Sequence, residues 1–498
     1  MKKMAWIAAF LTIPASATAQ SNGGGDAAVN SITPDDIIGL IGVMAHDSMR
    51  GRETPSPELD QVAEWVGEKF QSFGLKPGGD NGTFVQRYPL RVAQFDQGAS
   101  TIRNDHGAEL RFGESAVLLN GTAGENGIQG PVILMTGIPG EGVLGKSAID
   151  GANVVWVMPT RPGPGMQEAL EELFGTTAAS VILVTPRPDA AFQQLLHQPS
   201  EPSLTADSEE SSGPLFAEVR QEGASTLLAD PSLHLTALRE GPFALRPIEG
   251  VNLDITTANK VLQNESAPNT VGILEGSDPA LKDQYVVFSA HMDHVGVGEP
   301  VDGDAIFNGA DDDASGTAGI IELAEAFSLM NPRPRRSLIF LVVSGEEKGL
   351  WGSDYYARHP SVPVDQIVAN LNADMIGRNW QDTIVVIGKE HSSLGTTLNT
   401  VNDAHPELNM TAIDDLWPRE RFYFRSDHFN FARRGVPILF FFNGVHDQYH
   451  QPSDEVDLID AEKEARIVQL MFYLGLEIAQ DDEKPVWNAE SYKQIVER

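Results

Sequence analysis

The chain contains no cysteine, so thiolate metal sites, thiol catalysis, disulfide staples and lipid attachment through an N-terminal cysteine are all excluded. Any bound metal must be held by His, Asp and Glu. Basic residues are also scarce: 35 Lys and Arg stand against 70 Asp and Glu, a formal net charge of −35. That balance argues against nucleic acid or an anionic membrane surface as a partner, because both would be repelled. The H-E-x-x-H helix of one-zinc proteases and the G-x-S-x-G turn of serine hydrolases are missing as well. The apolar run Met4–Ile13 is too short to span a bilayer as an anchor.

What is present fits a soluble globular protein of more than one domain, with 498 residues, 41% hydrophobic residues and a mean hydropathy of −0.19. Lys2 and Lys3 precede an apolar stretch, Met4–Ile13, and the small residues Ala17-Thr18-Ala19. This is the pattern of a cleaved secretory signal, residues 1–19, and predicts a secreted or periplasmic protein starting at Gln20. Gln20–Ala28 reads as a flexible leader, and Thr33–Phe73 as helical, with Pro34-Asp35-Asp36 opening one helix and Glu58–Phe73 forming another.

Residues 113–250 alternate short apolar runs with Gly/Pro turns and read as a separate, mostly β domain, inserted between 20–112 and 251–498. Within it, Gly140–Ser147 satisfies G-x-x-x-x-G-K-[ST]. The following Ser147–Gly151 offers barely a helical turn, so a phosphate loop is rejected. From Val271 the rhythm becomes strand, loop, helix. Tyr285–Ala290, Ser337–Ser344, Ile367–Ala373, Thr383–Gly388 and Val436–Phe442 are near-continuous apolar runs, and Ser315–Met330 and Glu462–Ala479 are helical. Runs of that kind suit strands buried on both faces, and the alternation predicts an α/β three-layer sandwich with a mixed, largely parallel sheet.

Six acidic or imidazole residues follow these runs: His291 in SAHMDH, Asp312 in NGADDDASG, Glu346 and Glu347 in SGEEKGLWGS, Asp374 in NADMIGR and His450 in YHQPSD. Ligands of such sheets bind beyond the carboxyl ends of the strands, where most of these residues fall. Two imidazoles, three carboxylates and one spare carboxylate are the inventory for two divalent ions and a general base. Asp293 suits a supporting role in catalysis, fixing the tautomer of His291. Spacing alone does not separate Asp311, Asp312 and Asp313. Asp302 and Asp304 read as an ordinary acidic loop, and His294, His359 and His446 as lying outside the ligand set.

The motifs H-x-D, G-A-x-D-x-x-S-G, E-E-x-G-x-x-G-S, the Asp of N-A-D-M and Y-H-x-x-x-D resemble the metal site of the secreted dinuclear zinc aminopeptidases. Glutamate carboxypeptidases, transferrin receptors and glutaminyl cyclases are related to these. The resemblance spans roughly Val271–Ala479, and the Gly-rich loop near 140 resembles the protease-associated domain that many such peptidases carry. It implies two Zn2+ per chain, with His291, Asp312 and Asp374 on one and Asp312, Glu347 and His450 on the other. Glu346 would be the general base and peptides the substrates. Arg425, Ser426, Asp427 and His428, in the run FRSDHF, resemble a loop near the substrate. Tyr423 and Arg425 are candidates for contacting it, and Asp427 and His428 for shaping the loop. The expected activity is that of an aminopeptidase. The alternatives are a carboxypeptidase or dipeptidase, with Arg425 binding the terminal carboxylate, a glutaminyl cyclase, or an inactive receptor-like domain.

Overall fold

A computed structural model describes residues 23–497 apart from 125, 141, 145–148, 162, 207–212 and 231. The stretch 1–19, expected to be a secretory signal, lies outside them, and so does part of the Gly140–Ser147 loop. The chain divides into two compact units, residues 1–87 with 268–498, and residues 88–267. The second unit thus reaches further on both sides than the 113–250 block drawn from composition. Turn-rich composition does not register the strand Thr101–Asn104, which pairs with Ala244–Thr256 and so belongs with this unit.

The first unit is built on a sheet whose strands are β1 (Val85–Phe95, its start only), β2 (Asn259–Leu274, its second half), β3 (Tyr285–His291), β4 (Ser337–Val343), β5 (Ile367–Ala373), β6 (Thr383–Ile387), β7 (Thr411–Ile413) and β8 (Ile438–Phe441). Their order is β7-β6-β8-β5-β3-β4-β2-β1. The centre is parallel, β3 with β4 and β5, and β5 with β8. β2 runs antiparallel to β4, and β6 antiparallel to β8.

Every residue of β4 and β5 is buried, which explains why these strands read as unbroken apolar runs. Alternate residues serve opposite faces. Val286, Phe288 and Ala290 pack into a core with helices α1 (Pro34–Met44), α2 (Pro57–Ser72), α3 (Gly316–Ser328) and α5 (Ala461–Gln480). Val287, Ile339 and Leu341 face the other layer, which includes Tyr356 of α4 (Trp351–Arg358) and Phe431. Three layers result, as predicted.

α1 and α2 each begin with an N-cap and a proline: Thr33 Oγ1 accepts from Asp36 N before Pro34, and Ser56 Oγ from Leu59 N before Pro57. Residues 45–56 lie between the two helices and belong to neither α-helix. Arg50, Gly51 and Arg52 all have positive φ. Gly51 is required there, since a Cβ would stand 2.4 Å from Phe307 O and 2.5 Å from Gly296 O.

The second unit holds an eight-stranded sheet in which Ile128–Thr136, Asn153–Val157, Ser180–Val184 and Leu215–Val219 run parallel. Its two faces bury separate cores, Val132 and Leu134 on one side, Ile133 and Met135 on the other. Helices Met166–Phe174 and Gln221–Leu228 belong to these opposite cores.

Candidate metal centre

His291 is the last residue of β3, Asp374 follows β5 directly, and Glu346 and Glu347 follow β4 after Ser344-Gly345. Asp312 lies in the turn before α3, and His450 in the loop after β8. The sheet therefore brings all six to one edge. Two groups of possible ligand atoms result, each within 4.8 Å: His294, Asp312, Glu347 and His450, and His291, Asp313 and Asp374.

Three consecutive aspartates divide their tasks. Asp311 accepts from Gly377 N through Oδ1 at 2.7 Å and faces His446 Nε2 through Oδ2 at 3.2 Å. Asp313 accepts main-chain N–H bonds from His291, Gly316 and Met375. Asp312 turns Oδ1 to His291 Nε2 (3.4 Å) and Oδ2 to His450 Nε2 (3.1 Å), so its carboxylate stands between the imidazoles of the two groups. His291 Nε2 also lies 3.6 Å from Asp374 Oδ1, and His450 Nε2 lies 3.1 Å from Glu347 Oε2.

The supports are equally specific. His291 Nδ1 is 3.2 Å from Asp293 O and 3.7 Å from Asp293 Oδ1, which leaves Nε2 directed at Asp312. Ser426 Oγ donates to Asp374 Oδ2 at 2.8 Å, at the end of a buried run of hydrogen bonds through Asn372, Ser289 and Asn370. Asp454 Oδ2 accepts from both Asp311 N and Asp312 N. His294, set aside on sequence grounds, is fully buried with Nδ1 2.9 Å from Glu347 Oε1 and 3.7 Å from Asp312 Oδ2. A second histidine three residues after the first gives no periodic signal, so only the fold reveals it. His446 faces Asp311 and belongs to neither group, and His359 accompanies Tyr355 on α4. Asp302 and Asp304 belong to no ligand group among the described residues.

Charge is concentrated here. Burial raises Glu346 well above the usual carboxylate range, with Asp374, Asp427 and Glu347 adding to it against the pull of His291. Burial also raises Asp374. Burial opposes ionisation of Asp312, yet His294, His291 and His450 hold it well below that range. Burial likewise opposes charge on His450, which Asp312 and Glu347 push up to about 10. His291 Nε2 and His450 Nε2 are buried and make no hydrogen bond among the described residues, although carboxylate oxygens surround them. Carboxylates and unpaired imidazole nitrogens facing one space form a donor set of the kind zinc takes.

Beside this centre opens a cleft of about 380 Å³. Asp312, Glu346, Asp374 and Ser426 lie on its polar side, and Met375, Phe422, Phe440, Phe442, Val445 and Tyr449 on its apolar side. Arg425 lines it too, whereas Tyr423 is buried outside it. Asp427 and His428 are fully buried, and His428 Nε2 donates to Tyr423 O, in keeping with a loop-shaping role.

The sequence profile of Peptidase family M28 matches residues 269–475. A probable leucine aminopeptidase of Arthroderma otae is 25% identical over 254 residues, 49% of this chain and 67% of the relative. Aminopeptidase YwaD of Bacillus subtilis is 25% identical over 243 residues, 47% of this chain and 49% of the relative, so the match spans about half of that protein's length. The solved aminopeptidase from Aneurinibacillus sp. strain AM-1 shares the fold at a TM-score of 0.50 and 16% identity, with 92% of this chain and 97% of the other aligned. The stretch that matches Peptidase family M28, residues 269–475, carries every residue of both ligand groups.

Proposed function

We propose that the chain is an exported two-zinc aminopeptidase that removes N-terminal residues with apolar side chains from peptides. The observation that carries this reading is the Asp312 carboxylate, turned to His291 on one side and His450 on the other. His291, Asp312 and Asp374 would hold one zinc, and Asp312, Glu347 and His450 the other. Zinc bound there supplies Lewis acidity for the scissile carbonyl and for water. Asp293 holds His291 in the tautomer that frees Nε2. His294 steadies Glu347 through Nδ1, and Ser426 steadies Asp374.

Glu346 is the general base. It lies on the cleft wall rather than in either ligand group, and its raised affinity for protons suits it to take one from the attacking water. It then returns that proton to the leaving amine. The apolar wall of Phe422, Phe440, Phe442 and Met375 takes the side chain of the residue released. Export rests on the sequence of residues 1–19. Neither ligand group includes a residue of the second unit, which supports reading that unit as an inserted accessory domain of the protease-associated kind.

Aminoacyl-anilides test the reading directly. Leucyl- and phenylalanyl-anilides are hydrolysed faster than glutamyl-anilide, and acetylating the substrate's amine abolishes turnover. Release of C-terminal residues from N-acetylated peptides would show a carboxypeptidase instead.

A further inference from the structure

The segment Arg52-Glu53-Thr54 lies more than 200 positions before the family match, yet its polar groups reach three of the loops that carry the ligands and the base. Arg52 is fully buried and makes no ion pair among the described residues. Its guanidinium donates to four main-chain carbonyls: Nε to Met292 O at 2.8 Å, Nη1 to Met44 O at 2.7 Å and Asn308 O at 2.6 Å, and Nη2 to Gly309 O at 3.0 Å. Met292 follows His291 directly, and Asn308 and Gly309 lead into Asp312. The carbonyl of Arg52 accepts from His294 N.

Thr54, 1% exposed, continues the pattern at the third loop. Its hydroxyl donates to Asp293 Oδ2 at 3.0 Å and accepts from Gly345 N at 3.0 Å, next to Glu346. Asp293 Oδ1 in turn accepts from Glu346 N at 3.3 Å. Between them, Glu53 Oε1 accepts from Lys348 Nζ at 2.7 Å.

We infer that Arg52 and Thr54 are positioning residues, a strap that sets the separation of the His291, Asp312 and Glu346 loops and thereby the geometry in which zinc is held. This rests on the peptidase reading above. A planar cation with five donors in a fixed fork suits the task, since it can hold several carbonyls at once where Lys, with one flexible point charge, cannot. Using carbonyls rather than a carboxylate as partners leaves its charge facing Asp293, Asp312, Asp454 and Asp313. Thr54 acts one bond further out from the zinc than Asp293, and it couples Asp293, the partner of His291, to the main chain bearing the base.

Thr54→Val tests the strap, because valine keeps the shape and removes only the hydroxyl. Zinc affinity measured by competition with a chelator is expected to fall roughly tenfold, the scale for losing a group that orients a ligand. Turnover of leucyl-anilide falls through kcat, with KM little changed. Thr54→Ser restores both. Arg52→Lys weakens zinc similarly and serves if Thr54→Val does not fold. A wild-type chain that holds zinc, with Thr54→Val and Arg52→Lys folded and binding it equally well, overturns the strap alone. A wild-type chain that holds no zinc overturns the peptidase reading and the strap with it.

Discussion

At the scale of single residues, adjacent side chains of one type do different chemistry because the backbone turns them to different partners. Glu346 and Glu347 are neighbours, but Glu347 faces His450 and His294 while Glu346 faces the cleft. Glu346→Gln therefore keeps its zinc and loses roughly 10²–10⁴-fold in kcat, read by metal content and anilide turnover on one sample. Unchanged kcat would remove Glu346 from the mechanism. Ser426→Ala deletes the donor to Asp374 and should weaken zinc by about tenfold, as chelator competition would register. The preference for Asp312 among three aspartates comes only from the G-A-x-D pattern, and Asp312 and Asp313 each fall in one ligand group. Spacing cannot reveal that Asp313 is consumed by three main-chain N–H groups.

At the scale of elements, the parallel strands were plain in the sequence because burial on both faces leaves no polar alternation to blur them. The strap at Arg52–Thr54 was not. A charged residue in a polar turn reads as surface, and three of the four carbonyls that make its burial tolerable lie more than 200 positions away. Close backbone approach is similarly invisible. A Cβ at Gly352, in the first turn of α4, would stand 2.2 Å from Ser344 O and 2.3 Å from Asn269 Oδ1, both rigid neighbours. Gly352→Ala should cost ~2 kcal/mol or more of stability, read from denaturant unfolding; a wild-type midpoint would show that the loop after β4 yields. Glu322 on α3 is 3% exposed, and burial pushes it up to about 8 from 4.5. The folded chain then binds the proton more tightly than the unfolded chain, so this group's contribution to stability falls as pH rises between those values. Glu322→Gln should flatten the decline of Tm over that interval, and an unaltered slope would contradict it.

At the scale of the whole molecule, a chain with a net charge of −35 gathers Asp293, Asp312, Asp313, Asp374, Glu346 and Glu347 around one site. Cations bound there stabilise the folded chain by mass action and relieve that repulsion. Removing them with a chelator should lower Tm by several degrees and abolish turnover together, and zinc should restore both. The measurement that tests the account most directly is the number of zinc ions held per folded chain at saturation, taken by elemental analysis after removal of free metal. Two ions per chain, falling when His450 is replaced by alanine, is the predicted result. One ion or none in the folded wild-type chain would contradict it.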